Sequence, residues 1–387
     1  MHFLNLKTPE KNAIIFDIRN VDISLVNSIR RIILTDIPSV GFYFKLKDHF
    51  VENDINIEVN DSPLHNEFLA HRLSLVPLHF TKNEIENWKD SDYTFILNKK
   101  NKTGQIMNVT TEDFVILNNK TNEKMPESFI NRIFPKDDIT KDHILLTKLK
   151  PNFESLEKGT EIKLTCIARK GTAKNCICWN SISQCSYFNT LDNSAITKAL
   201  KEKTKGLSNS NVKEFEKEFD TLDKYKYFLK NKYGEPDQVT FSLEVESEMS
   251  PYEVFDIGCN VIITHIENLI VEFAKGDDSS IVEVSTISDM PNFYTVMFRG
   301  FTHTIGNLVQ SFIMNHYVRD KELKDQYDVS YAGYCVPHPL EEMFLLKLKF
   351  DNEISKRQLN EFLIKSFTSI KAELFSLNNE WNTFVSK

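Results

Sequence analysis

The apolar positions of residues 301–316, FTHTIGNLVQSFIMNH, fall at Ile305, Leu308, Val309, Phe312 and Ile313, a spacing that traces one face of an α-helix opened by Thr304 as its N-cap. The stretch before it, YTVMF, alternates through Val296 and Phe298 as a strand does. A similar strand-turn-helix unit lies 280 positions earlier: in IIFDIRNVDISLVNSIRRII, Ile14, Phe16 and Ile18 alternate, and Leu25, Ile29, Ile32 and Ile33 give a helical face. Asn27 falls opposite Asn307. Each unit has its own ending, since FSLEVES (241–247) precedes a periodic helix through Phe273 and FLLKLKF (344–350) precedes one through Trp381. In the latter, Leu359, Leu363, Phe367, Ile370, Leu374, Leu377 and Trp381 recur at steps of three and four, a nearly continuous seam for a partner helix. The pattern predicts an α+β chain in which two copies of one fold pack as a covalent pseudo-dimer.

Between the two units the pattern changes. Pro38 in LTDIPSVGF stops the first helix and turns the chain into an extended segment. SPLHNEFLAHRLSLVPL (62–78) has an apolar side with His65, Glu67, His71 and Arg72 between; its H-x-E-x3-H spacing is not the i, i+4 histidine pair of a zincin, and these groups read as capping and pairing a short helix. Residues 80 to about 160 alternate and turn without a strong helix, as an inserted, mostly β module. KGTEIKLTCIARKGTAKNCICWNS (158–181) is a strand ending in the basic turn Arg169-Lys170-Gly171 and followed by Cys176, Cys178 and Trp179. Those thiols and Cys185 lack a fourth metal ligand. Residues 197–238 are highly charged and suit exposed helices, with the basic run as a solvated face, and AKGDDSSIVEVS (274–285) is the candidate linker.

A chain of 387 residues with 41% hydrophobic and 26% charged residues holds two to three globular domains, and no apolar run approaches the ~20 residues of a membrane span. The start, MHFLNLKTPEKN, lacks the layout of a signal peptide, so the expected compartment is intracellular and reducing, with the six cysteines as buried thiols. A net charge of −8 argues against a protein whose main task is to neutralise phosphates.

The words inside the units resemble a known family. HTIGN followed by VSYAGYCVPHPLE is similar to the eleventh subunit of eukaryotic RNA polymerase II and its archaeal counterpart. VNSIRRIILTDIPSVG, LHNEFLAHRLSLVPL and IKLTCIARKGTAKNCICW are similar to the third subunit and the archaeal counterpart of that one. Both belong with the amino-terminal domain of the bacterial alpha subunit, whose homodimer is the polymerase's assembly platform. The bacterial helix combines an HTLGN word with an Arg-Arg pair. Here the second half keeps His303, Thr304, Gly306 and Asn307 with Gln310 and Ser311, and the first half keeps Arg30 and Arg31.

The resemblance implies two dimerisation domains: a discontinuous third-subunit-like one over 1–46 and 176–275, interrupted by an insert at 47–175, and, after a linker at 276–285, an eleventh-subunit-like one over 286–387. It implies beta-like and beta-prime-like large subunits as partners, small subunits similar to the tenth and twelfth, DNA contacted only indirectly, and no membrane. The expected docking residues are Asn27, Arg30, Arg31, His71, Arg72, Lys170, His303, Thr304, Gly306, Asn307 and His338, with the seven apolar residues from Leu359 to Trp381 packing half against half. Relatives with a metal carry a cysteine cluster in the insert; residues 47–165 here contain no cysteine, so no metal and no cofactor are expected. The single-chain arrangement resembles that of large nucleocytoplasmic DNA viruses, with which the abundance of Asn, Lys and Ile is compatible. The corresponding location is host cytoplasm and virion, or the nucleus for a cellular form.

The expected function is therefore a non-catalytic platform subunit of a DNA-directed RNA polymerase. The chain has no Asp cluster to hold magnesium and no glycine-rich phosphate loop. An enzyme using His303, His338, Cys335 or the 176/178 thiols as a nucleophile-base pair is one alternative. A free-standing nucleic-acid-binding protein, recognisable by salt-dependent affinity, is the other.

Overall fold

The computed structural model describes residues 2–47, 50–155, 157–205, 209–275, 281–286, 292–320 and 327–386. In chain order the elements are β1 (Phe3–Glu10), β2 (Ala13–Arg19), α1 (Ile23–Thr35), β3 (Pro38–Phe42), β4 (Phe44–Lys47), β5 (Phe50–Asn53), β6 (Ile55–Asn60), α2 (Asn66–Ser74), α3 (Lys82–Glu86), β7 (Tyr93–Asn101), β8 (Met107–Thr110), β9 (Phe114–Asn118), β10 (Glu123–Lys124), α4 (Glu127–Ile133), β11 (Leu145–Leu149) and β12 (Thr160–Thr172). They continue through β13 (Ile182–Asn189), α5 (Asn193–Lys203), α6 (Asn209–Glu218), β14 (Gln238–Val245), α7 (Pro251–Ala274), β15 (Val282–Thr286), β16 (Phe293–Arg299), α8 (His303–Ile313), β17 (Val329–Cys335), β18 (Met343–Phe350) and α9 (Lys356–Val385).

One compact unit takes in Met1–Ile33, Gln184–Leu243 and Phe255–Lys387, and so contains both copies of the repeat. Its two four-stranded sheets have the orders β1-β2-β14-β13 and β15-β16-β18-β17, which is the same first-second-fourth-third arrangement used twice. Alternation explains why one face of each is apolar: Ile14, Phe16 and Ile18 are buried on β2 as Val296 and Phe298 are on β16. Register then stacks like on like. Phe298 pairs with Phe344 across the ladder, their rings 4.5 Å apart and nearly parallel.

Each sheet is covered by its own helix and by one from the other copy. On the second sheet, Phe362 of α9 meets Phe350 at 5.4 Å, and Phe273 at the end of α7 meets Phe298 at 5.7 Å and Phe367 at 5.4 Å. On the first sheet, Trp381 near the end of α9 lies 4.7 Å from Phe16, 5.1 Å from Phe3 and 4.4 Å from Phe255 of α7. The exchange is reciprocal, and it makes each half's core incomplete without the other. Ser355 starts α9 with a capping box, its Oγ accepting from the Gln358 N–H while Gln358 Oε1 accepts from the Ser355 N–H.

The 24 residues of α7 correct one expectation, because this helix is long and apolar enough by composition to cross a membrane. Val254, Phe255, Cys259, Ile262, Ile266, Leu269 and Phe273 are instead buried in protein, and Asp256 and Glu267 pair with side chains of α9. The expected linker is also corrected. Residues 276–280 lie outside the described residues, but Val282–Thr286 is β15, paired antiparallel with β16 from Val282↔Phe298 to Thr286↔Tyr294.

The second compact unit is Leu34–Ser183 with Glu244–Val254, wider than the insert expected at 47–175. The reason is β12, whose thirteen residues pair with β7 on one side and with β6 and then β3 on the other, binding the 38–42 strand to the module. Phe42, Phe95, Phe114 and Phe134 fill its centre, with Phe114 and Phe134 stacked at 5.3 Å.

Candidate functional site

In the first unit, α1 and α8 run antiparallel, and polar groups pin both ends of their crossing. At one end Asp22 Oδ2 accepts from Ser311 Oγ at 2.9 Å and from Asn315 Nδ2. At the other, Arg31 Nε donates to Thr304 Oγ1 at 2.8 Å and Ser28 Oγ donates to the Thr304 carbonyl at 3.2 Å. Thr304 is therefore not the N-cap of α8. The helix starts two residues earlier, at His303 after Thr302, whose side chain makes no capping bond, and the Thr304 hydroxyl serves the partner helix.

The start of α8 gathers further residues. Gly306 is buried, and a Cβ there would sit 2.8 Å from Tyr334 Cδ2 and 3.2 Å from the Phe344 ring. Only a glycine lets Tyr334 lie this close to the helix. Its hydroxyl then reaches His303 Nδ1 at 3.3 Å, with the two rings edge to face at 5.9 Å. Burial pushes the Tyr334 phenol up, and the nearby Arg31 charge acts in the opposite sense. Arg31 and His303 are exposed, so this end of the seam presents a guanidinium, an imidazole and a phenol edge to solvent. Arg30 turns the other way. Its Nε donates to Asn27 Oδ1 at 3.0 Å, and its charge works against the burial that lifts the Cys185 thiol to about 12.

The seven seam residues from Leu359 to Trp381 are all buried. Sequence reasoning missed the polar part of this seam: Asn378 Nδ2 donates to Asp256 Oδ1 at 2.9 Å and Lys371 pairs with Glu267 at 2.7 Å, both between α9 and α7. It also missed Asp22, Ser28 and Tyr334. Asn307 is half-buried on α8, and His338 is exposed, its Nδ1 accepting from the Leu340 N–H at 3.2 Å.

His71, Arg72 and Lys170 belong to the second unit. The guanidinium of Arg72 clamps the Leu145 carbonyl at 2.8 and 3.2 Å, and the exposed His71 ring lies 6.1 Å from Phe44. Lys170 is held elsewhere, by the Glu86 carbonyl at 3.4 Å and, through its backbone N–H, by Asp90 at 3.3 Å. Among the described residues no group of three or more His, Cys, Asp and Glu is placed to hold a metal ion. Cys335 is half-buried, as is Cys176, which corrects the expectation of six buried thiols; Cys335 has no hydrogen bond to His303 or His338 among the described residues.

Both halves of the chain match known families. Residues 15–266 match the RNA polymerase Rpb3/Rpb11 dimerisation domain, and residues 294–380 match a second form of the same domain. The chain belongs to the Rpb3/Rpb11 dimerisation-domain family. It carries two such domains, one per copy of the repeat. Relatives include subunit 3B of DNA-directed RNA polymerases IV and V from Arabidopsis thaliana, 27% identical over 186 residues, covering 45% of this chain and 52% of the relative. RNA polymerase II subunit RPB3 of Schizosaccharomyces pombe is 26% identical, over 48% of this chain and 58% of that one. RNA polymerase subunit Rpo3 of Methanobrevibacter smithii is also 26% identical, over 48% and 57%. The chain thus spans about half the length of the curated relatives it matches.

Proposed function

We propose that this chain is a non-catalytic assembly-platform subunit of a multisubunit DNA-directed RNA polymerase, in which one polypeptide does the work of a third-subunit-like and an eleventh-subunit-like partner. The observation that carries the reading is the reciprocal exchange of α7 and α9 between two Rpb3/Rpb11-type domains in a single chain. A dimerisation domain whose dimer partner is already supplied in cis has its pairing surface occupied, and its remaining exposed groups are available to other subunits. The first half would dock a beta-like large subunit and the second half would lean towards a beta-prime-like one. Small subunits similar to the tenth and twelfth would join them, and DNA would be contacted only through these partners.

Arg31 suits this role because it is exposed while its Nε–H is committed to Thr304. The bond presets the guanidinium's direction, so that less side-chain entropy is lost when this exposed charge meets a carboxylate or carbonyl of another subunit. Fusion of the two subunit types in one chain fits the single-chain forms of large nucleocytoplasmic DNA viruses, with assembly in host cytoplasm. The test is purification of the tagged chain from its native source: both large subunits should remain bound through a high-salt wash. Recovery of the chain with nucleic acid and without large subunits would overturn the proposal.

A further inference from the structure

The Cys-x-Cys word at 176–178 is used by neither the pairing seam nor the groups at its exposed end. Cys176 leaves an extended backbone (φ −155°) and enters a single 3₁₀ turn over Ile177–Trp179. That turn brings both sulfurs onto one residue of β4. Cys176 Sγ–H donates to the Phe44 carbonyl at 3.8 Å, and the Cys178 thiol lies near enough to Cys176 and to the Phe44 backbone to feel both. The two thiols are therefore neighbours in the folded chain. One is half-buried and one is buried, while Ile177 between them is 58% exposed.

The surroundings hold the turn in this shape. The Cys178 carbonyl lies 2.5 Å from where a Cβ on Gly41 would be, and the Trp179 indole lies 2.4 Å from the corresponding point on Gly171. Trp179 Nε1 donates to the Arg169 carbonyl at 2.8 Å, and its ring stacks on Tyr43 at 5.3 Å with 10° between the planes. Two fixed thiols of unequal access are suited to thiol-disulfide exchange, in which an accessible sulfur attacks and a neighbour resolves.

We propose that Cys176 and Cys178 are a redox modification site that closes to a reversible disulfide on meeting a low-molecular-weight disulfide such as oxidised glutathione. Cys176, the accessible member, loses its proton to solvent and its thiolate attacks one glutathione sulfur; the glutathione S–S bond breaks and the first glutathione leaves as thiolate. Cys178 then attacks Cys176 Sγ in the mixed disulfide, the second glutathione leaves, and the proton of the Cys178 thiol ends on it. Two protein thiols are oxidised and one glutathione disulfide is reduced to two thiols. Burial pushes the Cys178 thiol well up, which assigns it the second step rather than the first.

The test incubates the full chain in glutathione buffers of rising disulfide-to-thiol ratio, followed by acid quenching, alkylation and peptide mass spectrometry. The peptide holding both cysteines should lose two hydrogen masses without gaining glutathione, with a change in Trp179 fluorescence, and dithiothreitol should reverse both. Cys335, half-buried with no neighbouring thiol hydrogen-bonded to it among the described residues, should stop at the glutathione adduct. In Cys178→Ser, Cys176 should also stop there. The proposal is overturned if, in the unaltered chain, Cys176 accumulates as an adduct to the same extent as Cys335. It is equally overturned if Cys176 stays reduced at ratios where Cys335 reacts. Both readings come from the unaltered chain, so a variant that fails to fold leaves them intact.

Discussion

Trp381 is the side chain through which the second half completes the first half's core, so its truncation measures how strongly the halves depend on each other. It is 1% exposed, and its indole is surrounded by Phe3, Phe16 and Phe255 at 4.4 to 5.1 Å. Replacing a buried Trp by Ala removes the transfer free energy of the ring and leaves a cavity, together about 3–5 kcal/mol. The three nearest rings, Phe3, Phe16 and Phe255, lie in residues 1–275, while Trp381 does not. If 1–275 and 281–387 are co-expressed as separate chains, the cost falls on association. At ~1.4 kcal/mol per tenfold, Trp381→Ala should weaken the dissociation constant by roughly two to three and a half orders of magnitude. Isothermal titration, or fluorescence anisotropy of a labelled 281–387 chain, reads this directly. A loss of less than about tenfold, corresponding to ~1.4 kcal/mol, would mean that the aromatic cluster closes without the indole and that the reciprocal exchange is not what joins the halves.

Three further outcomes follow from the seam. Gly306→Ala should lower the melting temperature, because overpacking against Tyr334 and Phe344 costs about 1–3 kcal/mol and outweighs the ~1 kcal/mol helix-propensity gain; an unchanged or higher midpoint would contradict the packing argument. Arg31→Ala should leave the isolated chain folded, its exposed bond to Thr304 contributing about 0.5–1.5 kcal/mol, yet reduce co-purification of the large subunits; full recovery of them would remove Arg31 from the docking surface. Burial raises the Glu373 carboxyl, with His316 and His2 lowering it and Asp22 raising it. The folded state therefore holds that proton more tightly than the unfolded chain, and the associated stability is present below the ordinary glutamate range and lost as pH rises through the raised value. Glu373→Gln should melt higher than the parent near about pH 8, with the gap closing towards about pH 4; a gap that widens on acidification would reverse the assignment.

The repeat was legible because its signal is periodic and local: alternation in β2 and β16, and threefold and fourfold steps along α9, name the buried residues before any contact is known. The seven seam positions are all buried for that reason. What was missed depends on residues far apart in sequence. Thr304 looked like a cap because it stands just before an apolar face, but its hydroxyl is taken by Arg31, 273 positions away. The edges of the second unit were misplaced because β3 is held by β12, a pairing no local pattern announces. For β15 a signal was present, since Val282 and Val284 alternate, but the polar GDDSS before it made the stretch read as linker. The length of α7 was legible, but not that its composition reaches that of a membrane span, because Asp256 and Glu267 interrupt the apolar run, and these carboxylates serve α9. Tyr334 was passed over because its value comes from the space Gly306 leaves, which is visible only in three dimensions.

The central claim is that one chain supplies a complete pair of dimerisation domains to a polymerase. Native mass spectrometry of the assembly purified from its source tests it most directly, by counting copies. The account predicts one copy of this chain for each pair of large subunits, with no other chain bearing an Rpb3/Rpb11-type dimerisation domain. Two copies per assembly, or one copy accompanied by a separate chain of that family, would contradict it.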